Sequence, residues 1–341
     1  MTTDNRQQTF IISRTDSIGD VVLTLPMAGV LKKEFPGCHI IFLGKAYTAD
    51  VIRCCIHVDS FLDWDQLSRL SPEQQVTEIR AAGADVIIHA FPRPAIARLA
   101  KAAGIPMRIG ASGRLFHWTT CNRIVWLSRR NSKLHEAQLN LNLLGGIGFR
   151  RPYSLQAIPA FYGLHAVQPL PAEIEALLQP DKFNIILHPR SKGSGREWGL
   201  HNFRMLTEIL PQDKFRIFIT GSAEEGRMVF AADGLERSDR LIDLTGKLQL
   251  GEFITFIQHA DGLVAGGTGP LHLAAALGII AIGIYPPIQP MHPGRWAPLG
   301  KNATYFVKPG ACSKCRHQGP CECILSIDPA AVASRMLTYL S

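Results

Sequence analysis

Short, continuous apolar runs rich in Ile, Val and Phe alternate along this chain with longer segments whose apolar positions recur every three or four residues. A run of roughly four to eight apolar residues marks a strand buried on both faces, and strands alternating with helices build parallel βαβ units. In the first half the pattern predicts strands at Phe10–Arg14, His39–Gly44, Ser60–Trp64, Asp85–Phe91 and Met107–Ala111. Helices are expected over Val21–Phe35, Pro72–Ala82, Pro94–Ala103 and His135–Leu144, the last stopping at Gly145-Gly146 as a helix carboxyl end should. A mixed, Pro-containing stretch from Arg150 to Pro180 reads as a linker. The alternation then restarts, with strands at Phe183–His188, Phe215–Thr220, Gly262–Ala265 and Ile279–Tyr285, and helices near His201–Leu210, Ala223–Ala232, Leu250–His259 and Pro270–Leu277. Asp328 is a good N-cap for a final helix, Pro329–Leu340.

With 341 residues the chain suits two such domains rather than one core, and 46% hydrophobic against 19% charged residues excludes a disordered polymer. The opening MTTDNRQQTF has no apolar centre and reads as neither signal peptide nor anchor. Apolar stretches such as Gly278–Tyr285 end at Pro286-Pro287, well short of the ~20 residues that cross a bilayer, so a cytoplasmic protein is expected. The net charge of +8 is unevenly placed. Between Asp85 and Glu136 no acidic residue occurs, while Arg93, Arg98, Lys101, Arg108, Arg114, Arg123, Arg129, Arg130 and Lys133 supply nine cations. A solvated surface accounts for most charge runs, but it normally mixes both signs. Here the one-sided composition favours an anionic partner: a phosphorylated lipid or saccharide, or an anionic membrane surface. Nucleic acid is disfavoured, because Phe116, Trp118 and Trp126 are too few and too apolar in setting to act as a base-stacking series.

Two strand-to-helix turns carry the candidate chemistry: Thr15-Asp16-Ser17-Ile18-Gly19-Asp20 and Gly266-Gly267-Thr268-Gly269-Pro270-Leu271-His272. In an open parallel sheet such a turn presents free backbone N–H groups and partial positive charge at the carboxyl ends of the strands, where phosphate is favoured. Two of them predict two nucleotide-fold domains facing each other across a cleft. Asp20 is the sharpest single candidate. Helix capping alone accounts for an Asp at that place, yet the small Gly19 and the hydroxyl of Ser17 beside it let a ligand approach the backbone closely. After the Phe183–His188 strand, the run His188-Pro189-Arg190-Ser191-Lys192-Gly193-Ser194-Gly195-Arg196 offers small residues and cations suited to a diphosphate. His272 is either a core histidine or a phosphate contact. No G-x-x-x-x-G-K-[ST] and no complete dinucleotide fingerprint occurs, which disfavours a P-loop ATPase and an ordinary dehydrogenase. Finally, Cys312-x2-Cys315-x5-Cys321-x-Cys323 has the donor set of a structural zinc site but an unusual Cys-x-Cys end. Zinc and a loop of reduced thiols both remain open.

Taken together, Ser17-Ile18-Gly19-Asp20, Arg196-Glu197-Trp198, Thr220-Gly221-Ser222-Ala223-Glu224-Glu225 and Thr268-Gly269-Pro270-Leu271-His272 resemble, in order and over nearly the whole chain, the heptosyltransferases of lipopolysaccharide synthesis, glycosyltransferase family 9. The resemblance implies an α/β GT-B architecture: an acceptor-binding Rossmann-like domain over 1–155, a nucleotide-sugar-binding one over 156–328, and a terminal helix over 329–341 packing back on the first. It implies inverting transfer of a sugar from an ADP-sugar to a lipopolysaccharide core or similar anionic glycolipid, with no catalytic metal or cofactor. Asp20 matches the general base. Ser17, Gly19, Ser191, Lys192, Thr268, Gly269, Pro270 and His272 match the donor site, with Arg196 on the leaving diphosphate, Glu224 or Glu225 on the ribose and Leu248 near the adenine. The basic domain, through Arg93, Arg98, Lys101 and Arg123, would hold the acceptor at the cytoplasmic face of the inner membrane. The family commonly has Asp where this chain has Gly267, which bears on the sugar transferred. A GT-B nucleotide-sugar epimerase and a non-catalytic anion-binding protein are the alternatives. The first needs no nine-cation face, and the second leaves the co-occurrence of Asp20 with both phosphate turns unexplained.

Overall fold

The computed structural model describes residues 7–130, 132–149, 151–193, 195–231, 234–310, 312 and 321–340. The chain divides into two compact units, Met1–Leu164 and His165–Ser341, with the division inside the Pro-containing stretch.

The first unit is built on β1 (Thr9–Ser13), β2 (His39–Gly44), β3 (Ser60–Asp63), β4 (Val86–His89), β5 (Met107–Ala111) and β6 (Arg123–Val125). They form one all-parallel sheet in the order β3-β2-β1-β4-β5-β6. The second unit repeats the plan with β7 (Phe183–His188), β8 (Phe215–Ile219), β9 (Leu241–Asp243), β10 (Gly262–Gly266), β11 (Ile280–Tyr285) and β12 (Ala303–Val307), in the order β12-β11-β10-β7-β8-β9. Counted from its own first strand, that is the same order. In such doubly wound sheets the chain leaves in opposite directions from two neighbouring strands, and ligands bind outside their carboxyl ends. These switch points lie between β1 and β4 and between β7 and β10.

The inner strands carry the apolar runs that predicted them: Phe10, Ile11, Ile12, Ile185, Ile186, Leu187, Leu263 and Val264 are fully buried. The second core gathers Trp198, Phe203, Phe215 and Leu206 with the terminal helix Pro329–Leu337, whose Val332, Ala333 and Met336 are buried in it. The buried face of that helix packs against helix Leu200–Ile209 of the same unit.

One local departure positions the site. The expected single helix over Val21–Phe35 is two helices, Ile18–Val22 and Leu25–Glu34. Pro26 has no N–H to donate, and inside a continuous helix its ring would meet the carbonyl of Val22, so the chain restarts at Thr24. The Thr24 hydroxyl donates to the carbonyl of Asp20 at 2.8 Å.

Candidate active site

At the first switch point the strand-terminal Arg14 is buried, with a side-chain exposure of 4%, and it organises every charge around it. Its Nε donates to Asp16 Oδ1 at 2.7 Å, one terminal nitrogen donates to Asp20, and the other reaches Glu136 Oε1 at 3.0 Å and Asn140 Oδ1 at 3.2 Å. Arg129 closes the far side, with Nε on Glu136 Oε1 at 3.1 Å and NH2 on Asn140 Oδ1 at 2.9 Å. Asn140 in turn donates to Leu23 O and Thr24 Oγ1, tying the helix break to the network. Two guanidinium groups thus meet three carboxylates. Burial pulls the Arg14 pKa down, but Asp20, Asp16 and Glu136 outweigh it and the net shift is upward, so Arg14 is a fixed cation. For Asp16 burial dominates, and with the Asp20 charge it outweighs Arg14, raising the carboxyl to about 6.

Asp20 is not the cap of its helix. Ser17 occupies that position, and the Asp20 carboxylate accepts from Arg14 and from the Ser17 hydroxyl rather than from backbone N–H groups. Two donors from different directions hold the carboxylate in one orientation at the carboxyl edge of the sheet, which a cap would not need. Gly19 is buried beside it. Arg93, at the start of helix Pro94–Ala102, donates to Thr15 Oγ1 at 3.0 Å and lies over the Phe91 and Trp64 rings, so it belongs to this loop. The other three proposed acceptor cations lie apart from it. Lys101 donates to Thr119 O, and Arg98 and Arg123 are exposed on a helix and on the sheet's edge strand.

At the second switch point the loops after β7 and β10 meet. A Cβ built on Gly195 would lie 3.6 Å from Gly267 O, and one on Gly266 3.4 Å from Arg196 O. Glu197 ties the first of these loops together: it accepts from Ser191 N at 2.9 Å and Ser191 Oγ at 3.2 Å, and it pairs with Arg190. Lys192 adopts a left-handed φ of 46°, followed by Gly193 at 78°, a tight reversal that leaves the Lys192 side chain exposed. Arg196 is half-buried in the same loop. After β10, Thr268 is the N-cap of helix Gly269–Leu277, with Pro270 in its first turn and His272 buried one turn in. Thr268 does not cap with its hydroxyl; its Oγ1 is buried with no hydrogen-bond partner among the described residues, beside the backbone N–H groups of the helix start.

Below this site His188 Nδ1 and Thr220 Oγ1 lie 2.9 Å apart, and burial, only partly opposed by Glu225, pushes the imidazole down to about 4, so it is neutral at pH 7. Glu225 has a local task. With Ser222 it forms a capping box at the start of helix Ala223–Val229, its Oε2 accepting from Ser222 N at 2.7 Å, whereas Glu224 in the same turn is exposed. Leu248 is half-buried just before helix Leu250–His259. Gly267 is small for a visible reason: a Cβ there would stand 2.8 Å from Cε1 of the buried Tyr285 ring.

Of the cysteine segment, Cys315 lies outside the described residues. Cys321 is buried, and Cys312 and Cys323 pack against the second core. Among the described residues no group of three or more His, Cys, Asp or Glu side chains has a metal-holding arrangement. No helix among them is long and apolar enough to cross a membrane.

Known proteins share this plan. A putative glycosyltransferase of Haemophilus influenzae is 25% identical over 298 residues, 85% of each chain. The solved ADP-heptose lipopolysaccharide heptosyltransferase II of Escherichia coli matches 98% of each chain with a TM-score of 0.75 at 18% identity. A family 9 glycosyl transferase from Veillonella parvula matches 98% of each chain with a TM-score of 0.76 at 19% identity. Two parallel sheets of this order give the chain the GT-B fold of these structures. The model of glycosyltransferase family 9 (heptosyltransferase) matches residues 76–324, and the chain belongs to that family.

Proposed function

We propose that this glycosyltransferase moves a sugar, in the family's sense a heptose, from an ADP-sugar to a lipopolysaccharide core or similar anionic glycolipid, with inversion at the anomeric carbon. Asp20 removes the proton from the acceptor hydroxyl as that oxygen attacks the anomeric carbon. The bond from that carbon to the diphosphate oxygen breaks on the opposite side, and ADP leaves with the electron pair. Arg14 and Ser17 keep the carboxylate of Asp20 aimed. On the second unit Thr268, the N–H groups of Gly269 and Leu271, Ser191, Lys192 and Arg196 neutralise the developing diphosphate charge. Exposed Glu224 is better placed than the capping Glu225 to take the ribose.

The observation that carries this reading is the pairing of an aimed carboxylate at one switch point with an unpartnered, buried Thr268 hydroxyl at a helix start at the other. Support for the donor class comes from the Escherichia coli structure described as an ADP-heptose enzyme. Lodging a bulkier residue at Gly267 would displace Tyr285, so the donor sugar is read here without an acid at that position. The test is Asp20→Asn, which keeps the size and the bond to Arg14 but not the base. Turnover with ADP-heptose and a core acceptor should fall about 10²–10⁴-fold while ADP binding by calorimetry is kept. Near-native turnover would remove Asp20 from the mechanism. Arg196→Ala should weaken ADP binding, whereas neutralising Arg93, Arg98 and Lys101 should spare it and weaken acceptor use in a salt-dependent way. Structural zinc on Cys312, Cys315, Cys321 and Cys323 is a separate proposal, tested by elemental analysis of the purified chain.

A further inference from the structure

The carboxyl edge of the first sheet carries more than the Asp20 loop. The turn Ser112–Phe116 leaves β5 there, and Trp126 follows β6 at the same edge. In this region three large apolar side chains stand in solvent: Leu115 at 89% exposure, Trp126 at 83% and Trp118 at 50%. The two indoles meet edge to face with ring centroids 5.8 Å apart, and Trp118 Nε1 donates to Ser112 O at 3.1 Å, so the pair is held in place rather than dangling. Scattered exposed apolar residues are ordinary; a fixed aromatic pair beside an exposed leucine is not.

The surroundings are cationic. Arg114 precedes Leu115, Arg123 lies three residues before Trp126, and Lys101 reaches Thr119 O beside Trp118. Arg108 is anchored on Thr120 O. Among the described residues none of Arg98, Lys101, Arg108, Arg114 and Arg123 is paired with a carboxylate, and no acidic residue occurs between Asp85 and Glu136 to supply one. A second copy of the chain would fit badly, because a twofold contact places the patch on itself and sets cation against cation. Tryptophan, with an apolar body and a polar N–H, is favoured at the headgroup level of a bilayer, and arginine and lysine around it are attracted to anionic lipid.

We propose that Leu115, Trp118 and Trp126, with the arginines and lysine around them, form the surface by which the first unit docks on an anionic bilayer. Because the patch shares an edge with the Asp20 loop, docking presents that loop to headgroups in the membrane plane. The proposal rests on the reading of a glycolipid acceptor above.

The test uses the full chain and floats it with vesicles of phosphatidylcholine alone or with phosphatidylglycerol added; no acceptor or nucleotide is present. The chain should float with the anionic vesicles only and be released by salt. Each cation neutralised, Arg114→Gln first, should lower partitioning about fivefold. Trp118→Ser with Trp126→Ser should lower it tenfold or more, with ADP affinity unchanged. Leu115→Gln, at a side chain too exposed to affect folding, serves as the second variant and should show a smaller loss in the same direction. Equal partitioning of these variants and the native chain, equal binding to neutral vesicles, or binding to single-stranded oligonucleotide in place of vesicles would overturn the proposal. Vesicle docking together with no sugar transfer in a separate assay with ADP-heptose and a core acceptor would instead leave this surface standing and refute the acceptor reading.

Discussion

Arg14→Met removes the one side chain that bonds Asp16, Asp20 and Glu136 at once. Methionine fills much of the same volume, so the loss is electrostatic rather than steric. Glu136, whose side chain is 1% exposed, keeps Arg129 at 3.1 Å and is not left wholly uncompensated. Asp20 and Asp16, exposed by 17% and 22%, lose the cation they share and remain close to each other. Removing one partner from a buried pair costs about 3–5 kcal/mol, and the surviving Arg129 contact places this case near the lower end, about 3 kcal/mol. For a unit of this size that corresponds to a fall of about 6–12 °C in the melting temperature of the first unit. Calorimetry near neutral pH measures it. The sign with pH is diagnostic. Arg14 lowers the Asp16 pKa in the native chain, so without it Asp16 protonates at higher pH; the variant gains on the native chain as pH falls from neutral, and the narrowing is complete once Asp16 is protonated in both, below about pH 6. Arg14→Lys, which keeps a charge but cannot fork to three acceptors, should fall between the two. A variant that melts within about 2 °C of the native chain, or a gap that widens on acidification, would refute the account of Arg14 as the organiser of the loop.

Asp16, raised to about 6 by burial and the neighbouring Asp20, has a folded pKa above its ordinary value of 3.8. Its protonation therefore stabilises the fold fully below about pH 4, and that contribution is lost as pH rises through about 6. Urea midpoints of Asp16→Asn should lack this decline, and identical curves for both chains would show that Asp16 titrates normally. Thr268→Val should leave the ligand-free chain as stable as before or slightly more so, because a buried unpaired hydroxyl disappears, while the ADP dissociation constant rises about 5–30-fold. An unchanged constant in calorimetry removes Thr268 from the donor site. Gly267→Ala drives a methyl to 2.8 Å from the Tyr285 ring and should cost about 1–3 kcal/mol in denaturant unfolding, partly recovered by Tyr285→Leu; no cost would mean that the ring yields freely.

The sequence pattern was sufficient for the inner strands, because a strand covered on both faces is a continuous apolar run. It failed for β6, β9 and β12, which are edge strands with half-exposed patterns such as Arg123-Ile124-Val125. Asp20 and Thr268 were legible from their places after strands. Arg14 was not, although a cation closing the run Phe10–Arg14 had to find partners if buried. Those partners include Glu136, 122 residues away, and a separation of that kind leaves no trace in local pattern. The same blindness inflated the cationic run: Arg129 is bound to Glu136, and Arg93 packs on Thr15, Phe91 and Trp64, so neither belongs to an open basic surface. Ser222-Ala223-Glu224-Glu225 shows the reverse case. Its spacing is that of a capping box, a local signal that was present and passed over, which gives Glu225 a structural task whatever binds beside it.

The terminal helix also fixes an order of events in time. The second core is sealed by contacts from late in the chain: Trp198 Nε1 on Ile327 O, Asn202 on Leu325 O, and Val332, Ala333 and Met336 packed beside Phe203 and Leu206. The ion network around Arg14 uses partners no later in the chain than Asn140. During synthesis the Asp20 loop and its ion network can thus be assembled while the second unit is still emerging. The second unit must wait, with Trp198 and its neighbours uncovered, until residues beyond 321 have been made. That interval, rather than the finished molecule, is when this enzyme is most exposed to aggregation and proteolysis.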